Sequence, residues 1–186
     1  MKMIKKVLVG MSGGVDSSVA ALLLRDQGYD VTGMTMLLRP GSGQSGDIED
    51  ARRVCEKLGI EHLTFDFTER FAQDVMDYFV REYRNGRTPN PCVACNRRLK
   101  FGAALDRALE LGFDAVATGH YAVLRRDETG KTLLYRAPTA KDQSYVLYNL
   151  TPFQLEHVLF PMAGIEKSAA RELAQQAGLP VAQKPD

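Results

Sequence analysis

The sequence predicts an α/β fold: a three-layer sandwich in which helices cover both faces of a mainly parallel sheet. The first observation is a short apolar run, Val7-Leu8-Val9, that leads directly into a glycine-rich turn and then a helical segment. The second is the alternation of such runs with helical patterns of about a dozen residues, which is typical of crossovers between parallel strands. The third is size, because 186 residues, 45% of them hydrophobic, can bury one core without disulfides.

Four strands and four helices are expected in alternation. The strands are short apolar runs, predicted for residues 7–9, 29–36, 60–66 and 114–118. The helices carry apolar residues at helical spacing and are predicted for residues 16–27, 47–58, 69–84 and 96–111. Gly28, Gly59 and Gly112 follow three of the helices, and glycine ends helices because it tolerates a left-handed conformation.

The remaining segments are connections and additions. Residues 122–136 are expected to form a hairpin, turning at 127–130 and added antiparallel to the edge of the sheet. Residues 151–178 are predicted as a short helix and then an amphipathic one. The glycine- and serine-rich segment 39–46 is predicted to be flexible, either as an active-site lid or as a slack connection.

Composition limits the classes of function. The formal net charge is +1, so no overall basic field would attract nucleic acid, and any RNA contact has to be local. The three cysteines are an odd number at irregular spacing, which is typical of reduced thiols in a cytoplasmic protein. The apolar run near the N-terminus is too short for a signal peptide, and no run approaches the roughly 20 residues that would span a membrane.

The turn between the first strand and the first helix has the composition of a phosphate-binding loop. Its residues are Gly10, Met11, Ser12, Gly13, Gly14, Val15, Asp16, Ser17 and Ser18. Glycines let the backbone approach an anion closely, and the amide groups at a helix N-terminus point towards it. The turn has neither the lysine of a Walker A motif nor the dinucleotide pattern G-x-G-x-x-G. The alternative is a glycine-rich turn whose serine and aspartate only cap the helix.

Two cysteines are expected on a loop. In the stretch TPNPCVACN, residues 88–96, two prolines favour extended backbone, which places Cys92 and Cys95 outside the helices. Such a pair binds a metal, cycles as a disulfide or carries sulfur. Zinc would need two further ligands for which no matching spacing exists, and an iron–sulfur cluster would need a third ligand. Cys55 shares an apolar helix face and is predicted to be a core residue.

The hexapeptide SGGVDS, residues 12–17, resembles the loop of the PP-loop ATP pyrophosphatases and has the same strand-to-helix setting. The resemblance implies an adenine-nucleotide alpha hydrolase-like (HUP) fold and an enzyme that cuts ATP between its α- and β-phosphates, leaving AMP on an acceptor. It also implies that Ser12, Ser17 and Ser18 donate to phosphate oxygens and that Asp16 helps to bind Mg²⁺. A cysteine loop suits sulfur transfer to an adenylated carbonyl better than it suits a reaction with ammonia.

Nearly the whole chain is similar to the bacterial tRNA-specific 2-thiouridylases. The similar stretches are GMSGGVDSS (10–18), DIEDARRVCEKLGI (47–60), GRTPNPCVACNRRLKF (86–101), ATGHYA (117–122) and KDQSYVLY (141–148). The resemblance implies 2-thiolation of a wobble uridine in tRNA, with ATP and Mg²⁺ as cofactors and a persulfide donor protein as partner. The alternatives are a PP-loop sulfurtransferase or ligase with a different acceptor, and a non-catalytic ATP-binding fragment.

The resemblance also assigns roles to single residues. Residues 10–18 would line the ATP phosphates, Met36 and Gly119 would border the adenosine, and Cys95 would be the nucleophile that carries the persulfide. The residues implied to contact the uracil are Asn90, Pro91 and Cys92, and those implied to contact the tRNA are Lys141, Asp142 and Gln143.

The chain departs from this family in two ways. Many members carry aspartate where this chain has Cys92, and members continue well past the position of residue 186, through a second cysteine and into β-rich domains. We therefore expect a PP-loop catalytic domain, residues 1–150, and a helical extension, residues 151–186, that leads towards a tRNA-binding region outside this chain. If the chain acts alone, Cys92 is expected to resolve the Cys95 persulfide and form a disulfide with it. The alternative is that the chain is a piece of a longer protein.

Two further features concern charged or titratable side chains. His120 follows a predicted strand at its carboxyl end, where α/β folds bind ligands, so it either lines a site or packs in the core. Arg97, Arg98 and Lys100 are predicted to lie at the start of the helix after the cysteines. Cations oppose the dipole at a helix N-terminus, which favours contact with RNA phosphates over a merely solvated face.

Overall fold

The structure is a computed structural model that describes residues 5–39, 41 and 44–185. The strands are β1 (Lys6–Gly10), β2 (Asp30–Leu37), β3 (Glu61–Asp66), β4 (Ala115–Thr118), β5 (Ala122–Arg126), β6 (Thr132–Arg136) and β7 (Val158–Leu159). Within the described residues, five of them form a parallel sheet in the order β3-β2-β1-β4-β7. The four predicted strands are all present, which confirms the alternating pattern.

Helices connect these strands. They are α1 (Val15–Asp26), α2 (Ser45–Leu58), α3 (residues 68–84), α4 (residues 91–110), α5 (Pro152–Glu156) and α6 (Lys167–Gln176), with a 3₁₀ turn at Ser144–Val146. α3 contains a π-helical stretch, Ala72–Asp77, between Thr68–Phe71 and Tyr78–Arg84. α4 contains another, Asn96–Ala103, between Pro91–Cys95 and Ala104–Glu110.

Helices cover both faces of the sheet. Val7 and Val9 belong to a core shared with α1, α2 and α6, whereas Leu8 belongs to a second core shared with α4. Successive side chains of a strand point to opposite faces, so a strand without polar residues requires an apolar layer on each side. All three side chains are fully buried, and burial of a side chain of this size contributes about 2 kcal/mol. The predicted three-layer α/β sandwich is confirmed.

The prediction for the hairpin is wrong in its placement. β5 and β6 do pair antiparallel, but they form a two-stranded sheet of their own. The sheet edge next to β4 is instead taken by β7, which pairs Val116 with Val158 and Ala117 with Leu159. A strand of only two residues is too short to produce a periodic pattern, so β7 could not be predicted from the sequence.

The segment beyond residue 150 packs into the same sheet and core as the rest. β7 extends the sheet, and Ala170 and Ala174 of α6 are buried with residues of α1. The division of the chain at residue 150 stays a prediction. Of the predicted flexible segment 39–46, residues 40, 42 and 43 lie outside the described residues. No helix in the described ranges is long and apolar enough to cross a membrane.

Candidate functional site

The site lies where the strand order changes direction. β1 pairs with β2 on one side and with β4 on the other, and the crossovers from this point cover opposite faces of the sheet. Such a change opens a crevice at the carboxyl ends of the strands, which is where α/β sheets bind ligands. The predicted phosphate loop follows β1, and Gly119 follows β4, so both segments border this crevice.

The phosphate loop is shaped by its own serines. The Ser17 hydroxyl accepts a hydrogen bond from the Ser12 amide at 3.2 Å, and the Ser18 hydroxyl donates to the Gly14 carbonyl at 2.8 Å. Gly14 is the extended residue that precedes α1 and has no side chain to cap it. The first amides of α1 therefore remain available to an anion. Ser18 is fully buried, so its hydroxyl stabilises the loop through this hydrogen bond to Gly14.

Two glycines allow close backbone contacts around this loop. Gly13 has a φ of +72°, and a Cβ placed there would lie 2.5 Å from the carbonyl oxygen of Asp47. At Gly119, a Cβ would lie 2.7 Å from both the Asp16 carbonyl carbon and the Ser17 nitrogen. Because these neighbours are backbone atoms, they cannot move aside as a flexible side chain could. The loop can therefore lie this close to its neighbours only because both residues are glycines.

A cavity of about 360 Å³ opens beside the loop. Its walls include residues predicted to bind ATP, namely Gly10, Met11, Ser12, Asp16, Ser17, Met36 and Gly119. They also include Thr35, Gln44, Asp47, Lys100, His120 and Gln143. A second, more polar cavity of about 470 Å³ adjoins the first and is lined by Gly14, Val15, Lys141, Asp142, Gln143 and Lys167, among others. Both volumes are in the range of sites for small organic ligands.

Two lysines that the sequence analysis missed contact the loop. Lys167, at the start of α6, donates to both carboxylate oxygens of Asp16 at 2.7 and 2.8 Å, and the Tyr121 hydroxyl donates to the same carboxylate at 2.8 Å. Lys184 donates to the Gly13 carbonyl at 3.0 Å and to Asp47 and Asp50 at 2.8 Å. These carboxylates raise the pKa of Lys184. Lys167 is 151 residues from Asp16 in sequence, so no local pattern could have indicated this pair.

The donors around Asp16 determine how a magnesium ion could bind. The described residues contain no group of three or more His, Cys, Asp or Glu side chains arranged for a metal ion. Magnesium commonly uses only one or two protein carboxylates and takes its other ligands from water and substrate phosphates. Asp16 therefore fits a magnesium ion that arrives with a nucleotide. An iron–sulfur cluster fits less well, because the described residues supply no third side chain to join Cys92 and Cys95.

Cys92 and Cys95 lie in a helix, which contradicts the loop predicted from the prolines. Asn90 caps α4, its side-chain oxygen accepting hydrogen bonds from the amides of Cys92 and Val93 at 3.0 and 3.3 Å. Pro91 is the first helical residue, where its missing N–H costs nothing and its fixed φ suits the helix. The prolines thus end the preceding extended segment and start the helix, five residues earlier than predicted.

The three thiols differ in exposure. Cys92 is exposed, Cys95 is partly buried, and Cys55 is buried in the core as predicted. Burial raises the pKa of Cys55 to about 11. Burial also raises the pKa of Cys95, while nearby Lys100 lowers it and nearby Cys92 raises it further. Cys95 does not itself line the cavity, but Lys100 on the same helix does.

The residues predicted to contact tRNA lie next to the loop. Lys141, Asp142 and Gln143 line the second cavity together with Ser12 and Asp16. The Asp142 carboxylate accepts hydrogen bonds from the Ala137 amide and the Ser144 hydroxyl at 2.8 and 2.9 Å, so it fixes the local chain. Asp142 therefore orders this segment, while Gln143 reaches both cavities.

His120 was predicted either to line a ligand site or to pack in the core, and it lines the first cavity. Its Nδ1 lies 2.7 Å from the Thr118 hydroxyl, and its ring packs near Phe101 and Phe160. Burial, with a smaller contribution from Lys100, lowers its pKa to about 3. The imidazole is therefore neutral at physiological pH.

This pKa predicts a pH-dependent stability. The unfolded chain binds a proton at His120 near pH 6.5, while the folded chain binds it only near pH 3, so stability falls as the pH drops below about 6.5. We expect the contribution of His120 to the free energy of unfolding to be about 2 kcal/mol lower at pH 5 than at pH 7. Urea unfolding without nucleotide at both pH values measures this. The variant His120→Gln should lose that part of the pH dependence, and an identical pH dependence in both proteins would contradict the prediction.

Comparisons with known proteins agree with this geometry. A family model described as the tRNA methyl transferase HUP domain matches residues 5–186. The chain is 51% identical over 197 residues to the tRNA-specific 2-thiouridylase MnmA of Clostridioides difficile, covering 100% of this chain and 55% of that protein. It is 55% identical over 193 residues to the protein of the same name from Micrococcus luteus, covering 97% of this chain and 51% of the relative. The chain thus spans about half the length of these curated relatives.

Solved structures share the fold at low sequence identity. A 4-thiouridine synthetase in complex with RNA and bound ATP has a TM-score of 0.67 at 21% identity, over 97% of this chain and 43% of that one. The U34-tRNA thiolase NcsA of Methanococcus maripaludis, with its [4Fe-4S] cluster, has a TM-score of 0.62 at 18% identity, over 100% of this chain and 61% of that one. These similarities confirm the predicted α/β fold, and the family model over residues 5–186 confirms that it is of the HUP type.

Proposed function

This chain belongs to the family described as the tRNA methyl transferase HUP domain, and on that premise we propose that it is the ATP-dependent catalytic part of a tRNA-uridine 2-sulfurtransferase. Its reaction is the adenylation of the C2 oxygen of a wobble uridine, followed by replacement of that oxygen with sulfur. The observation that supports this best is that one helix, α4, borders both the thiol and the nucleotide cavity. It carries Cys95, and its Lys100 lines the cavity beside the phosphate loop. The thiouridylase names of the relatives point to the same chemistry.

In this proposal the triphosphate binds to the loop over residues 10–18. The amides at the start of α1 and the hydroxyls of Ser12 and Ser17 bind phosphate oxygens, and Met36 and Gly119 border the adenosine. Lys167, now paired with Asp16, is close enough to exchange that partner for a phosphate group. The Asp16 carboxylate would hold a magnesium ion that arrives with the nucleotide, and such an ion would supply positive charge to the leaving pyrophosphate. The chain thereby orients the α-phosphorus towards the acceptor oxygen.

The acceptor approaches from the side of α4. Asn90, Pro91 and Cys92 contact the uracil at the exposed start of this helix, while Lys141, Asp142 and Gln143 contact the tRNA. The uridine O2 attacks the α-phosphorus, and the bond to pyrophosphate breaks. The persulfide sulfur on Cys95 then attacks C2, a C–S bond forms, and AMP leaves with the original oxygen. The sulfur comes from a persulfide donor protein, and the reaction takes place in the cytoplasm.

The remaining S–S bond has to be broken, and for a chain that acts alone we assign this step to Cys92. Its exposed thiol lies one helical turn from Cys95 at the start of α4, where residues three apart are neighbours. The Cys92 thiolate attacks the Cys95 sulfur and the S–S bond breaks, so that the outer sulfur remains on C2. A Cys92–Cys95 disulfide forms, and a thiol reductant has to return it to two thiols.

This assignment predicts the redox state of the cysteines after a single turnover. Mass spectrometry of the protein, quenched with an alkylating agent, should find a Cys92–Cys95 disulfide in an amount equal to the thiouridine formed. Thiolated product alongside a fully reduced pair would contradict the assignment of Cys92 and leave the sulfurtransferase proposal standing.

The function itself is tested with ATP, magnesium, a persulfide source and unmodified tRNA. Equal amounts of pyrophosphate and 2-thiouridine support the proposal. Pyrophosphate release that requires a different acceptor would favour another PP-loop sulfurtransferase or ligase. Nucleotide binding without either product would favour a non-catalytic ATP-binding fragment. Because the chain spans about half of its relatives, the assay should be run with the protein in its full natural length.

A further inference from the structure

Lys100 is a cation in the cavity wall that has no part in the reaction steps proposed above. Its side chain is partly buried and lines the same cavity as the phosphate loop, Asp16 and Asp47. The two acidic residues already have lysine partners, Lys167 and Lys184. Lys100 itself makes no hydrogen bond or ion pair with any residue that the structure describes. A partly buried ammonium without a counter-charge favours an anionic ligand.

The π-helical stretch of α4 explains how Lys100 reaches this position. Lys100 follows Cys95 by five residues, and in a regular α-helix such residues are about 140° apart around the axis. Between Asn96 and Ala103 the helix is π-helical, and its i→i+5 hydrogen bonds bring residues five apart towards the same face. The Ala104 amide, for example, donates to the Leu99 carbonyl. The widened turn thus brings the Lys100 side chain towards the side on which Cys95 lies.

The electrostatic environment agrees with this placement. Lys100 is close enough to the Cys95 thiol to lower its pKa against the larger opposing effect of burial. It is also close enough to His120, which lines the same cavity, to add to the effect of burial and lower the pKa of that imidazole. The positive charge of Lys100 therefore acts on both the sulfur and the cavity. The neighbouring Arg97 is exposed and does not line the cavity.

We propose that Lys100 is a catalytic residue that binds the terminal anionic sulfur of Cys95 and the phosphate group bonded to the uridine, and so brings the two reacting partners together. The proposal rests on the sulfurtransferase function and adds to it the group that joins the nucleotide site to the sulfur site. The phosphate and the sulfur are both anions that repel each other, and a single ammonium between them offsets that repulsion. Lys100 forms no covalent bond and transfers no electrons.

The test compares Lys100→Met, which removes the charge but keeps the length, with Lys100→Arg and with the control Arg97→Met. The first readout needs no turnover: the rate at which iodoacetamide alkylates Cys95 at a fixed neutral pH, resolved by peptide mass spectrometry. Lys100→Met should slow this rate about three- to tenfold, because fewer Cys95 thiols are ionised, while Lys100→Arg should largely restore it. Arg97→Met should react as the unchanged protein does.

The second readout is the dissociation constant of ATP, which Lys100→Met should raise several-fold and Arg97→Met should leave unchanged. An unaltered alkylation rate in Lys100→Met, or an equal effect of Arg97→Met, would overturn the proposal. Thermal unfolding of each variant shows whether it is folded. If Lys100→Met does not fold, the comparison is made between Lys100→Arg and Arg97→Met. If both readouts change as expected and no 2-thiouridine is formed by the unchanged protein, the sulfurtransferase function fails while the anion site at Lys100 stands.

Discussion

Replacing Gly119 with alanine should weaken ATP binding by about a hundredfold while leaving the sheet and helices intact. A Cβ at this position would lie 2.7 Å from the Asp16 carbonyl carbon and the Ser17 nitrogen, both of them backbone atoms of the first turn of α1. The loop has to move to relieve the overlap, which costs about 3 kcal/mol and corresponds to about a hundredfold in affinity. Isothermal titration calorimetry with ATP measures the change.

The matched control is Gly46→Ala, in the first turn of α2. A Cβ there meets no atom within 4 Å, and its φ is not in the left-handed region, so this variant should bind ATP as the unchanged chain does. Circular dichroism has to show the same helix content in both variants. Undiminished ATP affinity in a folded Gly119→Ala protein would mean that the first turn of α1 does not bind the nucleotide.

Replacing Cys95 with serine should reduce 2-thiouridine formation about a thousandfold or more and leave pyrophosphate release measurable. A hydroxyl group is not ionised at neutral pH and does not carry a persulfide, whereas the phosphate loop is unchanged by the substitution. The two half-reactions should therefore separate, and adenylated tRNA should accumulate. Quantifying pyrophosphate and thiouridine in the same reaction tests this.

Cys55→Ala is the control for this substitution. Cys55 is buried in the core and does not line the cavity, so its replacement should cost about 1 kcal/mol of stability and leave thiolation unchanged. If Cys95→Ser still forms thiouridine at the unchanged rate, the nucleophile is another group, and the exposed Cys92 becomes the first candidate.

Much of the fold could be predicted because local pattern and tertiary packing agree. Val7-Leu8-Val9 is apolar on both faces, and the sheet is indeed covered on both faces. Gly59 ends α2 in the left-handed conformation with a φ of +68°, as expected for a glycine at that place. The predicted position of the hairpin was wrong. The sequence indicates that β5 and β6 pair with each other, but not which edge of the main sheet is free.

The cysteine segment shows a limit of reading proline as a helix breaker. The preference of proline for the first helical position competes with that reading, and Asn90 as a cap decides the outcome. The signal was present in the sequence as Asn-Pro, the pattern of a cap followed by a first helical residue.

The roles of charged and polar residues in the site could be predicted only for residues that are close together in sequence. Asp16 and the serines share one turn, so their role follows from their spacing. Lys167 and Lys184 contact that turn from 151 and 171 residues away, and a single sequence does not contain such pairings. The direction of the Lys100 side chain depends on the π-helical turn of α4. The spacing of a regular α-helix would not place it on the same side as Cys95.

The central claim is that the uridine C2 oxygen attacks the α-phosphorus of a nucleotide bound at the phosphate loop. It is tested most directly with tRNA that carries ¹⁸O at C2 of the wobble uridine. After thiolation by the protein in its full natural length, mass spectrometry of the nucleotide products should find the ¹⁸O label in AMP, one atom for each 2-thiouridine formed. Thiouridine formed together with unlabelled AMP, or with ADP in its place, would contradict the account.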